Sequence, residues 1–344
     1  MLRFQKSLCG VMILVTSNTV MVRFHAFLLL VLVEALGASC SLNRMAVGAA
    51  GGLFQTASAE MESESDWDMA AKALPANLKT VAGLHSIDPT NKDLLQALVK
   101  GYTAYAFGIN ETLYLDERFA DVTGGPLRAE TIRNYSKALA YGFQFLATYD
   151  LTADALFKAN AEHQLDALLG AHFSASDSAG VATLLFTVQA WANLINLQKS
   201  NATLLSQLSI VKQLADFGCS LAPDFQYGFC EMFAASYEAS RPKALGGDPA
   251  KAQSIFLAAI KKYPRSLMVR EAYIERYLVP LGLKDEYLKE KTLVLPLLKE
   301  QQEQASYIPG EASSQDPLQV KTAFLSAVAA KRLSIIQRHE SSLF

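Results

Sequence analysis

The chain has 344 residues, 51% of them hydrophobic and only 19% charged, with a net charge of −2 and a slightly positive mean hydropathy. A chain of this length can bury well over half of its unfolded surface without metals or a dense set of disulfides, so a missing core is excluded. The near-neutral charge, scattered without a basic run, argues against nucleic acid as a partner, because phosphate binding needs a concentrated cationic face.

Much of the hydropathy lies before residue 40. From Met21 the sequence reads MVRFHAFLLLVLVEALGASC, with a short cationic start, an apolar run from Ala26 to Val33, and small residues up to Cys40. This is the three-part layout of a secretory signal covering residues 1–39, with translation starting at Met21 in the simplest reading. Gly37, Ala38 and Ser39 before Cys40 give a lipoprotein-type ending, although Leu36 stands one position further from the cysteine than that pattern wants and Glu34 interrupts the run. Lipidation of Cys40 is the expectation, against ordinary cleavage or an uncleaved anchor. One long anchor from Leu8 to Val33 would bury Arg23 and His25 in the bilayer at a cost of a few kcal/mol each. Residues 1–39 hold three of the 31 basic residues and one of the 33 acidic ones, leaving a mature body of net charge −4.

Residues 40–68 read as a lipid-anchored lead-in ending in the acidic stretch EMESESDWD (60–68), and residues 69–344 as a helical-repeat domain. Apolar windows of helical period alternate with short breaks at Pro, Gly and Asp, with no sustained two-residue alternation and no hairpin turn signal. About ten to twelve helices are predicted. In TIRNYSKALAYGFQFL (131–146), Ile132, Tyr135, Leu139, Phe143 and Leu146 recur at steps of three and four and predict one buried stripe. ADALFKANAEHQLDALLGAHF (153–173) reads as a solvated helix face in which His163 and Asp166 share one side and His172 does not, so no metal site is expected. Asn110-Glu111-Thr112 and Asn201-Ala202-Thr203 match the glycosylation pattern and are read instead as loop and cap residues. Cys219 and Cys230 form an isolated pair, bonded to each other or buried as free thiols on neighbouring helices.

The clearest repeat unit is DPAKAQSIFLAAIKKYP (248–264). Ala252, Phe256, Ala259 and Pro264 fall at the small, aromatic, small, proline spacing of a tetratricopeptide second helix, with Asp248 as a cap and Pro249 at the first helical position. Weaker echoes follow Pro89 and Pro223, each with an aromatic thirteen or fourteen residues on, at Tyr102 and Tyr237; Tyr277 follows Pro264 in the same way. The expected fold is therefore all-α, a tetratricopeptide-like array of helical hairpins, or α-solenoid. No metalloprotease, nucleophile-elbow or phosphate-loop motif is present, so the chain does not read as an enzyme and no cofactor or metal is expected. Tyr102, Tyr105, Phe143, Phe186 and Trp191 crowd the first half and are read as core packing or as the lining of a ligand cavity.

Six phrases carry a family resemblance: ALPANLK (73–79), IDPTNKDLLQALVKGYTAYAF (87–107), NYSKALAYGFQFL (134–146), LFTVQAWANLINL (185–197), LGGDPAKAQSIF (245–256) and AFLSAVAAKRLSIIQRHESSLF (323–344). In this order they resemble the TRAP transporter T component family, TatT, across nearly the whole mature chain. The resemblance implies an all-helical periplasmic lipoprotein that forms a homotrimer. It also implies association with a tripartite ATP-independent periplasmic transporter through its substrate-binding P component, and a central pore suited to a hydrophobic ligand. PDFQYGFCEMF (223–233) departs from the family's pattern, which has a polar residue there. The alternative is a tetratricopeptide-type envelope scaffold with no transport role.

Overall fold

The computed structural model describes residues 47–48, 51–54, 58, 60–122, 124–304 and 317–344. The signal (1–39), the Met21 start and Cys40 lie outside the described residues.

Among the described residues from Trp67 onward the regular structure is helical, with no strand. The long helices are α1 (Trp67–Ile87), α2 (Lys92–Tyr105), then α3 (Thr112–Phe119) and α4 (Pro126–Ala147). After α5 (Ala153–Ala161) and α6 (Leu165–Gly170) come α7 (Ser178–Leu197), the single turn α8 (Ala202–Leu205) and α9 (Leu208–Leu221). The second half holds α10 (Phe229–Ala239), α11 (Pro249–Lys262), α12 (Leu267–Tyr273), α13 (Lys284–Gln304), α14 (Pro317–Lys321), α15 (Ala323–Arg338) and α16 (Glu340–Leu343). Among the described residues from Trp67 onward the ten to twelve helices expected become sixteen, because α6, α8, α14 and α16 are too short to leave a periodic signal.

The packing order explains the patterning. α1 packs on α2, α2 on α4, α4 on α7, and α7 on α9; the series continues through α10, α11 and α12. α15 then packs on α12 at one end of the series and on α1 and α3 at the other, bridging the two ends of the array. α7 sits inside and is buried around most of its circumference, from Val181 to Ile195. It is long and apolar enough to cross a membrane by length and composition, but its apolar window is largely buried in the protein, as a core helix requires.

Local chemistry sets the helix starts. Asp66, Asn91, Thr152, Asp177, Asn201, Asp248 and Ser266 each cap a helix by accepting a backbone N–H. Pro89 and Pro264 stand two residues before the caps Asn91 and Ser266, so both repeat prolines close one helix and set up the next. Ala252, Phe256 and Ala259 are fully buried, and burial of a ring such as that of Phe256 is worth about 1.5–3 kcal/mol.

Three local expectations shift. The buried side of α4 runs through Thr131, Asn134, Tyr135, Ala138, Gly142, Phe145 and Leu146, leaving Ile132, Leu139 and Phe143 half-buried at its flanks. The reason is close approach: a Cβ on Gly142 would lie 2.5 Å from Thr187 Cγ2, so the small residues, not the large ones, mark the contact line with α7. His163 is not on a helix face; it has φ 55° in the turn that separates α5 from α6. Asn201 is a cap, but Asn110 is buried inside a helical segment, with no loop there.

Candidate binding site

Two helices widen into π segments, and both do so at the interior. α2 continues through Ala106–Glu111 (π1) into α3, and α12 continues into Ile274–Leu278 (π2). A π turn disturbs the α-helical ladder and redirects carbonyls, which must find other donors when buried. In π1 the Gly108 carbonyl accepts from Trp67 Nε1 of α1 at 2.8 Å, and the Phe107 carbonyl accepts from Arg332 Nη1 of α15 at 3.4 Å. Gly108 is required for this approach, since a Cβ there would stand 2.7 Å from Phe324 Cζ and 3.0 Å from Val328 Cγ2.

Arg332 is completely buried and joins the two π segments. Its guanidinium lies 3.1 Å from Glu271, 2.6 Å from Glu275 and 3.5 Å from Glu111, and 4.8 Å from the Phe107 ring centroid. Arg118 of α3 binds the second oxygen of Glu275 at 2.9 Å. Burial favours the neutral form of Arg332, but the carboxylates of Glu275, Glu271 and Glu111 outweigh it and hold the guanidinium charged. Burial also works to raise Glu275, yet Arg332 and Arg118 hold its carboxyl well below the usual carboxylate range. For Glu271 burial wins: its carboxyl is pushed up to about 8, with Arg332 opposing and the neighbouring Glu275 adding to the rise. A hydrogen bond between the two carboxyls adds to both shifts, with the protonated Glu271 donating to Glu275.

From this cluster a polar chain leads outward. Tyr135 donates to Glu111, and Asn193 Nδ2 donates to the Tyr135 hydroxyl at 2.7 Å. Burial first, then Glu111, keeps the Tyr135 hydroxyl protonated. A second chain runs from Asn134 to Asn110 (2.8 Å) and on to Glu130 (3.2 Å).

Asn193 and Phe107 also line a pocket with space of about 40 Å³ for water-sized occupants. Its walls come from α7 (Gln189, Ala192, Asn193), α10 (Phe229, Met232, Phe233), α12 and π2 (Met268, Ala272, Arg276), and Leu325 of α15, with Gln226 from the turn before α10. Gln189 is 8% exposed and its Oε1 has no donor.

The Gln226 turn is unusual. Gln226, Tyr227 and Gly228 have φ of 47°, 49° and 124°, a run of left-handed backbone that two non-glycine residues tolerate only at a cost of roughly 1–3 kcal/mol each. A disulfide between Cys219 and Cys230, S–S 2.07 Å with Cα atoms 5.8 Å apart, clamps the connection on both sides of this turn. Pro223 lies inside the clamped connection. From the same turn, Phe225, Phe229, Phe233 and Tyr237 run along α10 at four-residue spacing with ring centroids 5.3, 6.0 and 6.5 Å apart, and Arg241 covers the last ring at 3.8 Å. This four-residue aromatic series stands in the sequence and is the signal by which the pocket wall could have been found. PDFQYGFCEMF (223–233) supplies Gln226, Phe229, Met232 and Phe233 to the pocket wall.

The five aromatics read as core packing or cavity lining meet other partners. Tyr102 stacks on Tyr141 (5.7 Å) and Phe143 packs against Trp191 (5.1 Å). Trp191 Nε1 donates to Gln207 at 2.8 Å, Phe186 packs on Phe225 at 5.0 Å, and Tyr105 reaches Glu130 at 3.5 Å. None of these five lines the pocket described above. Among the described residues, no three His, Cys, Asp or Glu side chains converge as a metal site would need.

A small polar-edged pocket and a buried ion cluster thus sit within an all-α protein. Over residues 63–298 the sequence matches the TRAP transporter T-component family, and the chain belongs to that family. It is thereby an accessory component of a TRAP transporter, a system of the bacterial envelope. A comparison with curated proteins gives no match.

Proposed function

We propose that this protein is the periplasmic, lipid-anchored T component of its transporter, held to the membrane through Cys40, that binds the substrate-binding P component and takes up a small apolar ligand. The observation that carries the reading is the family match, which spans every helix from α1 to most of α13. The array offers a scaffold on which a partner docks by shape and scattered polar contacts, with no chemical step required. Homotrimeric assembly belongs to the same reading through the family resemblance. A scaffold with no transport role gains no support from that match.

The test is a native pull-down from membranes with the intact lipoprotein as bait. Recovery of a TRAP substrate-binding protein supports the proposal, and its absence with the bait intact counts against it. Mass spectrometry of the mature N-terminus checks the anchor by a diacylglyceryl mass on Cys40, and Cys40→Ala releases the protein from membranes if the anchor is real.

A further inference from the structure

We propose that the outward face of α13 rests on an anionic lipid surface and gives the body a second membrane contact besides its anchor. This rests on the reading of Cys40 as that anchor and adds the side of the protein that meets the bilayer.

The amphipathic pattern of α13 is reversed. A surface helix normally turns its apolar stripe to the core and its polar residues to water. Between Tyr287 and Lys299 the buried side of α13 is Tyr287, Glu290 and Val294. Tyr287 donates to Glu340 at 3.0 Å, and Glu290 pairs with Arg270 of α12. At 3.6 residues per turn the opposite arc carries Leu288, Thr292, Leu293, Leu295 and Pro296, with Lys289 and Lys299 among them, all exposed. Leu288, Leu293 and Leu295 are 40%, 53% and 52% exposed, so three leucines of one helix share a solvent-facing arc while a glutamate fills the inner side. A clustered apolar surface of this kind gains by being covered.

Charge and chain course select the occupant. Among the described residues from Tyr287 to Lys299 the exposed charges are lysines, and the acids nearby, Glu290 and Glu300, are engaged by Arg270 and Arg265. Lysines set among leucines suit a lipid interface, where the ammonium reaches the phosphates while its methylene stem lies in the apolar layer. Two copies of the chain joined through this arc alone would set lysine against lysine with no carboxylate between them. Gln301, in the last turn of α13, donates to the Ser65 carbonyl at 3.4 Å, so the segment that leads back to Cys40 passes the end of this same helix. A tethered body meets the bilayer at high local concentration, so a face too weak to hold Cys40→Ala protein on membranes still orients the anchored one.

A fluorescent label on the arc of the lipidated protein tests this. Thr292→Cys supplies one free thiol for the label, because Cys219 and Cys230 are bonded to each other and Cys40 carries the lipid in this reading. On vesicles of phosphatidylglycerol and phosphatidylethanolamine the label should be several-fold less open to quenching by iodide than on vesicle-free Cys40→Ala protein, and it should be quenched by nitroxide-bearing lipids. Vesicles of phosphatidylcholine alone should weaken both effects. Leu288→Ser, Leu293→Ser and Leu295→Ser together should abolish them while the protein stays anchored, with thermal melts confirming that the variant is folded. A label equally open to iodide on vesicles that retain the protein refutes the inference and leaves the anchor standing. Protection already present in the vesicle-free protein makes the arc a contact between subunits and overturns the inference, as does protection that survives the triple substitution. Protein that washes off the vesicles refutes the anchor, and the inference with it.

Discussion

Glu271 holds a proton in the folded protein at a pH where an ordinary carboxyl has lost it, and Glu271→Gln isolates that effect. The amide has the shape of the protonated acid and keeps a donor for Glu275, but it cannot ionise. The folded carboxyl titrates at about 8, against an ordinary value of 4.5. Its pKa is raised on folding, so its contribution to stability is fully present below the ordinary value and is lost as the pH rises toward 8. Between these limits the unfolded chain releases a proton that the folded chain keeps, and stability falls by up to about 1.4 kcal/mol per pH unit, a few kcal/mol across the window. Glu275 is shifted the other way by Arg332 and Arg118, so its contribution is present above the ordinary value and is lost on the acid side, outside the same window. Urea unfolding followed by far-ultraviolet circular dichroism at about pH 5.5, 6.5 and 7.5 measures the slope. The wild type should lose stability across this series, and Glu271→Gln should be flatter by close to one proton. An unchanged slope in the variant, or none in the wild type, refutes a protonated Glu271.

Arg332→Met strips the cation from three buried carboxyls and should destabilise the protein by about 3–5 kcal/mol, read as a drop in the urea midpoint; a loss below 1 kcal/mol would show that the cluster is solvated. The double variant Cys219→Ser, Cys230→Ser should lose about 3 kcal/mol, and dithiothreitol should lower the wild-type melting temperature but not that of the variant. Gly108→Ala places a methyl 2.7 Å from Phe324 and should cost about 1–3 kcal/mol in the same assay.

What the sequence made legible were features set by near neighbours. Asp248 and Pro249 start α11 as their types demand, and Ala252, Phe256 and Ala259 are buried because helical period and side-chain size alone put them there. Arg332 was hidden, since it lies in AAKRLS beside the more exposed Lys331 and looks like a surface residue. Its burial depends on acids that precede it by 57 and 61 positions in Glu275 and Glu271, and on Glu111 much earlier still. The π segments were invisible for a similar reason: YAFGINE and YIERYL read as ordinary helix, and Trp67 and Arg332, arriving from elsewhere, donate to redirected carbonyls of the first, beside the local donor Thr112. Aromatic content left core and cavity lining open for Tyr102, Tyr105, Phe143, Phe186 and Trp191 because count and crowding do not distinguish the two, whereas the four-residue series from Phe225 to Tyr237 follows one line beside the pocket.

Arg332 belongs to α15, near the carboxyl end of the chain, while the groups it neutralises lie in π1 and near π2. Synthesis runs from the amino end, so Glu111, Glu271 and Glu275 emerge before the Arg332 guanidinium that offsets the cost of their burial. A chain that closed before α15 was in place would leave Glu111 and Glu271 without that guanidinium and Glu275 with Arg118 alone, at a cost of several kcal/mol. Closure of the interior thereby waits for α15, and the join between Phe107 and Arg332, 225 residues apart, becomes a late step of folding. The interior ion cluster thus ties the compact state to the presence of α15.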